Sequence, residues 1–260
     1  MNKMDVQQYL ERIKYDGNTA PAGEVLKSLQ KKHLLTVPFE NLDIHYKIPI
    51  ELNLDKIYEK VINRRRGGFC YELNGLFYQL LQSIGFEAKM VSARVFNNNT
   101  GIFSQEFDHL AIIAKADSMD YLVDVGFGEF AIQPLKMELD NMQHDERCTF
   151  RIRTYDEVYF VVESLLDKEW RSVYIFSSKK RDLSEFQERC YYHQTSPQSH
   201  FVQNKLCSLA TVKGRITLTS NKMKITEDNT ITELNLESEE EFLSYLEKYF
   251  QIRLNSPVAL

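Results

Sequence analysis

Apolar residues recur at helical spacing in the first third of the chain and at shorter, strand-like spacing after it. Val6, Tyr9, Leu10 and Ile13 share one face of a helix predicted over about residues 4 to 16. Pro21, a good first-turn residue, opens a second helix through Val25, Leu26, Leu29 and His33 that stops before Pro38. The stretch Val37-Pro38-Phe39-Glu40-Asn41-Leu42-Asp43 reads as a loop or irregular turn. A third helix runs from about Leu54 to Arg65, with Ile57, Val61 and Ile62 inward, and stops at Gly67-Gly68. Cys70 opens a fourth, whose inward face is Leu73, Phe77, Leu80, Leu81 and Ile84 and which ends at Gly85.

The period then changes. Ala88–Phe96, Leu110–Ala116 and Tyr121–Val125 are short runs rich in Val, Ile, Leu and Tyr, separated by Asn97-Asn98-Asn99 and Asp117-Ser118. Thr149–Thr154, Val158–Leu165 and Arg171–Phe176 continue the strand pattern, so the middle is an antiparallel barrel or sandwich. A helix is expected at Leu183–Tyr192, strands at Phe201–Thr211 and Arg215–Leu218 with Gly214 in the turn between. A last helix follows Ser238, its acidic first turn suiting the dipole. The fold class is α+β, in three parts: 1–86 helical, 87–190 mainly β, and 191–260 mixed.

Composition narrows the class of function. An apolar fraction of 43% and a charged fraction of 27% describe a water-soluble globular chain. The net charge of −5, with no basic patch interleaved with aromatics, argues against nucleic acid as a partner. Nothing approaches a membrane span, and the first residues, Met1 to Gln7, hold no apolar signal core. The four cysteines, at 70, 148, 190 and 207, form no CxxC pair and suit neither a zinc site nor a disulfide framework. We therefore expect no metal and a cytoplasmic protein with reduced thiols. The pattern assigns no oligomeric state.

Against that background, Cys70 stands out as a nucleophile. At a helix N-terminus, unpaired N–H groups and the dipole favour a thiolate. His109 opens one apolar strand, and Asp124 lies inside the run Tyr121-Leu122-Val123-Asp124-Val125, where a carboxylate is costly unless hydrogen-bonded. If these strands pair through a tight turn near Asp117–Asp120, Asp124 faces the His109 imidazole, and with Cys70 nearby the set becomes Cys–His–Asp. Pattern alone leaves each residue an ordinary structural reading as well.

The strings Val37-Pro38-Phe39-Glu40-Asn41-Leu42, Arg66-Gly67-Gly68-Phe69-Cys70-Tyr71-Glu72-Leu73-Asn74, Asp108-His109-Leu110 and Val123-Asp124-Val125-Gly126-Phe127-Gly128 resemble the motifs of the arylamine N-acetyltransferase family, in the right order. Thr195 to Phe201 and Cys207-Ser208-Leu209 extend the resemblance into the last third. It implies a helical bundle, an antiparallel β-barrel and a C-terminal α/β lid, related to papain-like and transglutaminase-like folds. It implies that Cys70, His109 and Asp124 are catalytic, with the Cys70 thiolate paired to a His109 imidazolium. Arg66 and Glu40 would form a buried ion pair holding the loop before Cys70. Phe39, Phe127 and Phe201 would line the acceptor pocket, and Thr211 and Lys213, with Arg215 as a neighbour, would contact the co-substrate acetyl-CoA.

The implied reaction is a ping-pong transfer of acetyl from CoA to Cys70 and then to an aromatic amine or hydrazine. Glu106 and Asp108 put acidic charge beside His109, and Glu129 and Ala131 stand where mammalian members carry Arg and Tyr. Two other readings stay open: a Cys–His–Asp amide hydrolase or transglutaminase-like acyl transferase, and a non-catalytic protein that binds CoA or an aromatic ligand.

Overall fold

The computed structural model describes residues 4–228 and 230–254. Residues 1–3, with which the first expected segment begins, and 255–260, which end the last, lie outside the described residues.

Helices fill the first third, as their spacing requires: Val6–Arg12, Gly23–Leu34, Leu54–Tyr58 and Cys70–Ser83. Asp5 caps the first of these, its Oδ1 accepting the Gln8 backbone N–H at 3.2 Å. Pro21 lies just outside the second helix, whose cap is Ala22, rather than in its first turn. The third continues as a π-helix over Glu59–Asn63 and ends through Arg65, which has a positive φ of 53°. Gly67 and Gly68 therefore do not end it. Gly67 is needed for close approach instead, because a Cβ there would lie 2.2 Å from the Pro38 carbonyl oxygen.

That approach explains why residues 37–43 are not a plain loop. Phe39–Glu40 is a two-residue strand pairing with Ser208 and Cys207, and Leu42–His45 is a short helix. Glu40 N donates to Gly68 O at 2.9 Å and Gly68 N to Pro38 O at 3.3 Å, which ties the loop before Cys70 to this strand. Pairing to residues so distant in sequence leaves no local periodicity to read.

The middle of the chain is one antiparallel sheet. Its strands run in the spatial order Leu135–Lys136, Met119–Val123, His109–Ala116, Glu87–Asn97, Glu169–Ser177, Tyr159–Leu166, Thr149–Thr154 and Gln143–His144, with Ile102–Phe103 beside Glu87–Asn97. The two ends meet. Gln143 Nε2 donates to Lys136 O at 2.9 Å, and its Oε1 accepts Lys136 N at 2.7 Å, so the sheet closes into a near-barrel. This decides for a barrel over a sandwich.

Alternation along the His109–Ala116 strand assigns its two faces. Leu110, Ile112 and Ala114 join the core shared with the helices, while Ala111 and Ile113 join the barrel interior. A second, five-stranded sheet holds Phe39–Glu40 and the strands Leu206–Thr211, Gly214–Thr219, Lys222–Glu227 and Thr230–Asn235, the last two unforeseen in the pattern. The helix Glu239–Phe250 packs on it through Phe242, Leu246 and Phe250. Phe201 lies in the helical turn His200–Gln203 rather than in a strand.

Candidate active site

The Cys70–Ser83 helix is buried on nearly every side, and Cys70 is its first residue, 4% exposed. Glu72 Oε2 accepts the Phe69 backbone N–H at 2.8 Å, which closes the helix start. Glu72 is itself held by Lys60 Nζ at 2.9 and 3.0 Å. The expected Arg66–Glu40 pair is part of this larger cluster. Arg66 Nη2 donates to Glu40 Oε1 at 2.7 Å and to Asp43 Oδ1 at 2.8 Å, and Lys60 Nζ lies 2.7 Å from Asp43 Oδ2. Two cations thus meet three carboxylates directly behind the Cys70 loop.

His109 and Asp124 meet as their strand spacing suggests. Asp117 and Ser118, with φ of 50° and 64°, form the tight turn, and Ala116 pairs with Met119. Asp124 sits just past the end of its strand rather than inside it. His109 Nε2 donates to Asp124 Oδ2 at 2.6 Å, with both side chains buried. Nε2 being the donor, Nδ1 is the ring nitrogen left to accept a proton.

Asp124 is held from other directions. Asn74 Nδ2 donates to Asp124 Oδ1 at 2.9 Å and to Leu110 O at 2.6 Å, while Asn74 Oδ1 accepts Val125 N at 2.9 Å. Gln30 Oε1 accepts Asp124 N at 3.2 Å. Asn74 lies one helical turn from Cys70, so the same helix supplies the cysteine and the side chain that fixes the carboxylate. The sequence reading gave Asn74 and Gln30 no such part. Apolar neighbours on the Asn74 face are the available signal, since a buried amide must find partners.

The contact that brings Cys70 to this pair is a backbone one. Gly126 N donates to Asp124 Oδ1 at 2.9 Å, and a Cβ on Gly126 would lie 2.9 Å from Cys70 Cα and 2.7 Å from Asn74 Nδ2. Only glycine allows that approach.

The electrostatics differ from the expectation of a helix-stabilised thiolate. Burial pushes the Cys70 thiol well above its ordinary range; Cys190 and Asp124 add to the push, and the Tyr71 backbone N–H opposes it. Desolvation outweighs the helix terminus here. The acidic neighbours of His109 are paired elsewhere: Asp108 with Arg189, with His193 Nε2 3.2 Å away, and Glu106 with Arg181 at 3.2 Å.

The three phenylalanines divide. Phe127 packs at a tilt beside His109, ring centres 5.3 Å apart. Phe39 and Phe201 both pack on Phe69, at 5.7 and 4.6 Å. Phe39 and Phe127 line a small cavity of about 10 Å³ with Gly126, Ser208 and Arg215. That is room for no more than about one water. A cleft of about 630 Å³ adjoins it through Gly128 and Arg215, and Thr211, Lys213 and Glu129 line that cleft. The Thr211 hydroxyl oxygen is buried without a partner, and Lys213 is exposed, 3.3 Å from Asp228. Ala131 is buried, away from the cleft, and its carbonyl accepts Gln30 Nε2 at 3.2 Å.

A family model described as N-acetyltransferase matches residues 24–259. The human protein arylamine N-acetyltransferase 1 is 32% identical over 275 residues, 96% of this chain and 95% of that protein. Among solved structures, the arylamine N-acetyltransferase of M. tuberculosis superposes with a TM-score of 0.89 at 28% identity, over 95% of this chain and 94% of that one. That of Mycobacterium marinum, solved in complex with CoA, gives 0.87 at 28% identity, over 95% and 93%.

Proposed function

The chain belongs to the arylamine N-acetyltransferase family, and from that premise we propose how its buried cysteine serves the acetyl-CoA-dependent acetylation of arylamines. The observation that carries the reading is the His109–Asp124 bond of 2.6 Å, joined to Cys70 through Gly126. Asp124 orients the ring and leaves Nδ1 to act as base. His109 takes the thiol proton of Cys70, which leaves the sulfur as the attacking thiolate.

Cys70 Sγ then bonds to the acetyl carbonyl carbon, the carbon–sulfur bond of acetyl-CoA breaks, and the CoA sulfur departs with the proton held by His109. In the second half, the amine nitrogen bonds to the same carbon and the bond to Cys70 breaks. His109 removes the proton from nitrogen and returns it to the thiolate. The first half exchanges one thioester for another at little net cost, and the second converts the Cys70 thioester into an amide, which draws the reaction forward. Aromatic hydrazines offer the same nucleophilic nitrogen.

Phe39, Phe127 and Phe201 are assigned to the acceptor. The first two flank the small cavity, which must widen for an aromatic ring to enter, and Phe201 braces Phe69 next to Cys70. Thr211 and Lys213 are assigned to the donor, because they line an adjoining space with the volume for a nucleotide-sized group. The reading also places the protein in the cytoplasm, where its four unpaired cysteines stay reduced. No described helix is long and apolar enough to cross a membrane.

Initial rates with acetyl-CoA and an arylamine varied together test the scheme. Parallel double-reciprocal lines are expected. Intersecting lines would mean that both substrates bind before any chemistry, and would remove the covalent role from Cys70.

A further inference from the structure

Two arginines meet in the large cleft without a carboxylate bonded to either. Arg147 donates to the carbonyl oxygens of Gly128 and Phe130, the latter at 2.6 Å. Arg215 donates to Ser208 Oγ and to the same Gly128 oxygen, both at 2.9 Å. Among the described residues these partners are all neutral, and Arg147 Nη2 is buried with no partner. The carboxylates nearby are otherwise engaged or apart. Asp145 accepts backbone N–H groups of Ile132 and Gln133, Glu146 pairs with Lys31 and Asp228 lies beside Lys213. Glu129 lines the cleft, exposed, and bonds neither guanidinium in the described contacts.

A buried arginine satisfied by carbonyls is not by itself a ligand site, and this protein holds one that shows it. Arg12 donates to the carbonyls of Val61, Thr36, Arg65 and Arg66, all from one neighbourhood, with both Nη atoms used. Three of those carbonyls lie at the end of the π-helix and that of Thr36 just past the second helix, where the dipoles supply negative charge. Arg147 and Arg215 differ in two ways. They are like charges sharing one carbonyl, and one guanidinium nitrogen remains unbonded.

An arginine cannot shed its charge at neutral pH. Burial, with Arg147 close by, lowers Arg215 only to about 9. The pair therefore keeps its positive charge, offset only by the nearby carboxylates of Glu129 and Asp145, beside a cleft of about 630 Å³. Two converging planar forks suit an oxyanion.

We propose that Arg147 and Arg215 form an anion subsite that takes an oxyanion group of a reactant, either a phosphate of the donor or a carboxylate on the acceptor. The proposal rests on the reading of this cleft as part of the substrate route. Arg215 also lines the small cavity beside Phe127, so one residue spans both spaces.

Calorimetric titration of Cys70→Ala protein, which removes the acetylation step from the readout, decides it. The probes are two matched pairs: CoA against phosphate-free pantetheine, and 4-aminobenzoate against aniline. Adding Arg147→Gln or Arg215→Gln is expected to weaken one charged probe by about tenfold to a hundredfold, the worth of a lost charge-assisted bond, and its neutral counterpart by less than about twofold. Arg215→Lys should recover part of the loss. A loss with CoA identifies phosphate as the ligand group, and a loss with 4-aminobenzoate identifies carboxylate.

Equal changes for charged and neutral probes, or none, would overturn the subsite while leaving acetyl transfer through Cys70 intact. If CoA does not bind the Cys70→Ala protein at all, the donor reading falls, and the 4-aminobenzoate pair still decides the subsite. Binding of neither anionic probe overturns the subsite too. Should the glutamine variants unfold, the Cys70→Ala protein is titrated across a range of sodium chloride. A steeper salt dependence for a charged probe than for its neutral partner supports the subsite, and equal slopes overturn it.

Discussion

Two groups of cations lie on either side of the candidate active site in sequence, and they are finished differently. Lys60 and Arg66 face Glu40, Asp43 and Glu72, so every charge behind the Cys70 loop has an internal partner. Arg147 and Arg215 hydrogen-bond, among the described residues, to carbonyl and hydroxyl oxygens only. A charge closed from within belongs to the architecture. A charge left open in a cleft is available to something that comes and goes. Desolvation costs several kcal/mol per buried ion, and on the proposal above a bound anion would repay part of that cost.

A third buried basic group sharpens the contrast. His33 is fully buried, contacts Tyr9 Oη through Nδ1 at 2.9 Å and leaves Nε2 without a partner. Burial, with Arg12 nearby, lowers its pKa to about 3. Histidine escapes an unfavourable charge by giving up its proton, which arginine cannot do.

The largest effect should come from opening the closed cluster. Arg66→Met leaves Glu40 without its bidentate partner, and urea unfolding should show a loss of about 3–5 kcal/mol. A loss near zero would mean that the cluster contributes nothing to holding the Cys70 loop.

Acid should act next, through His33. Below pH 6.5 the unfolded chain binds a proton that the folded chain refuses down to about 3. Stability is therefore fully present above 6.5 and declines as the pH falls toward 3, by up to a few kcal/mol. His33→Gln, which keeps a partner for Tyr9, should flatten that decline in thermal melts. An unchanged acid slope would contradict a neutral buried ring.

The smallest effect on stability is expected in the open pair. Arg215→Gln should shift the unfolding free energy by about 1 kcal/mol or less, since it trades neutral hydrogen bonds for relief from Arg147. A cost as large as that of Arg66→Met would make Arg215 a structural clamp and erase the contrast.

Much of this arrangement was legible in the chain. The Leu110–Ala116 and Tyr121–Val125 runs with a turn between them suggested that His109 and Asp124 could meet if the strands paired, and the helix start at Cys70 followed from the apolar face behind it. What escaped reading depends on contacts between distant residues. Phe39–Glu40 becomes a strand because Cys207 and Ser208 pair with it, and Gly67 is a glycine because Pro38 lies against it. The upward push on the Cys70 thiol escaped for the same reason: the helix terminus is local, but the burial that opposes it is tertiary. Arg147 and Arg215 carry no shared motif, and only the closed sheets bring them to the same carbonyl.

The central claim is that Cys70 itself holds the acetyl group between the two substrates. Intact-protein mass spectrometry after brief mixing with acetyl-CoA tests it directly, on wild type and on Cys70→Ala. One acetyl group on the wild type alone, discharged when an arylamine is added, is the predicted result. Acetylated arylamine formed while the wild-type protein stays unmodified, or equal labelling of Cys70→Ala, would contradict it.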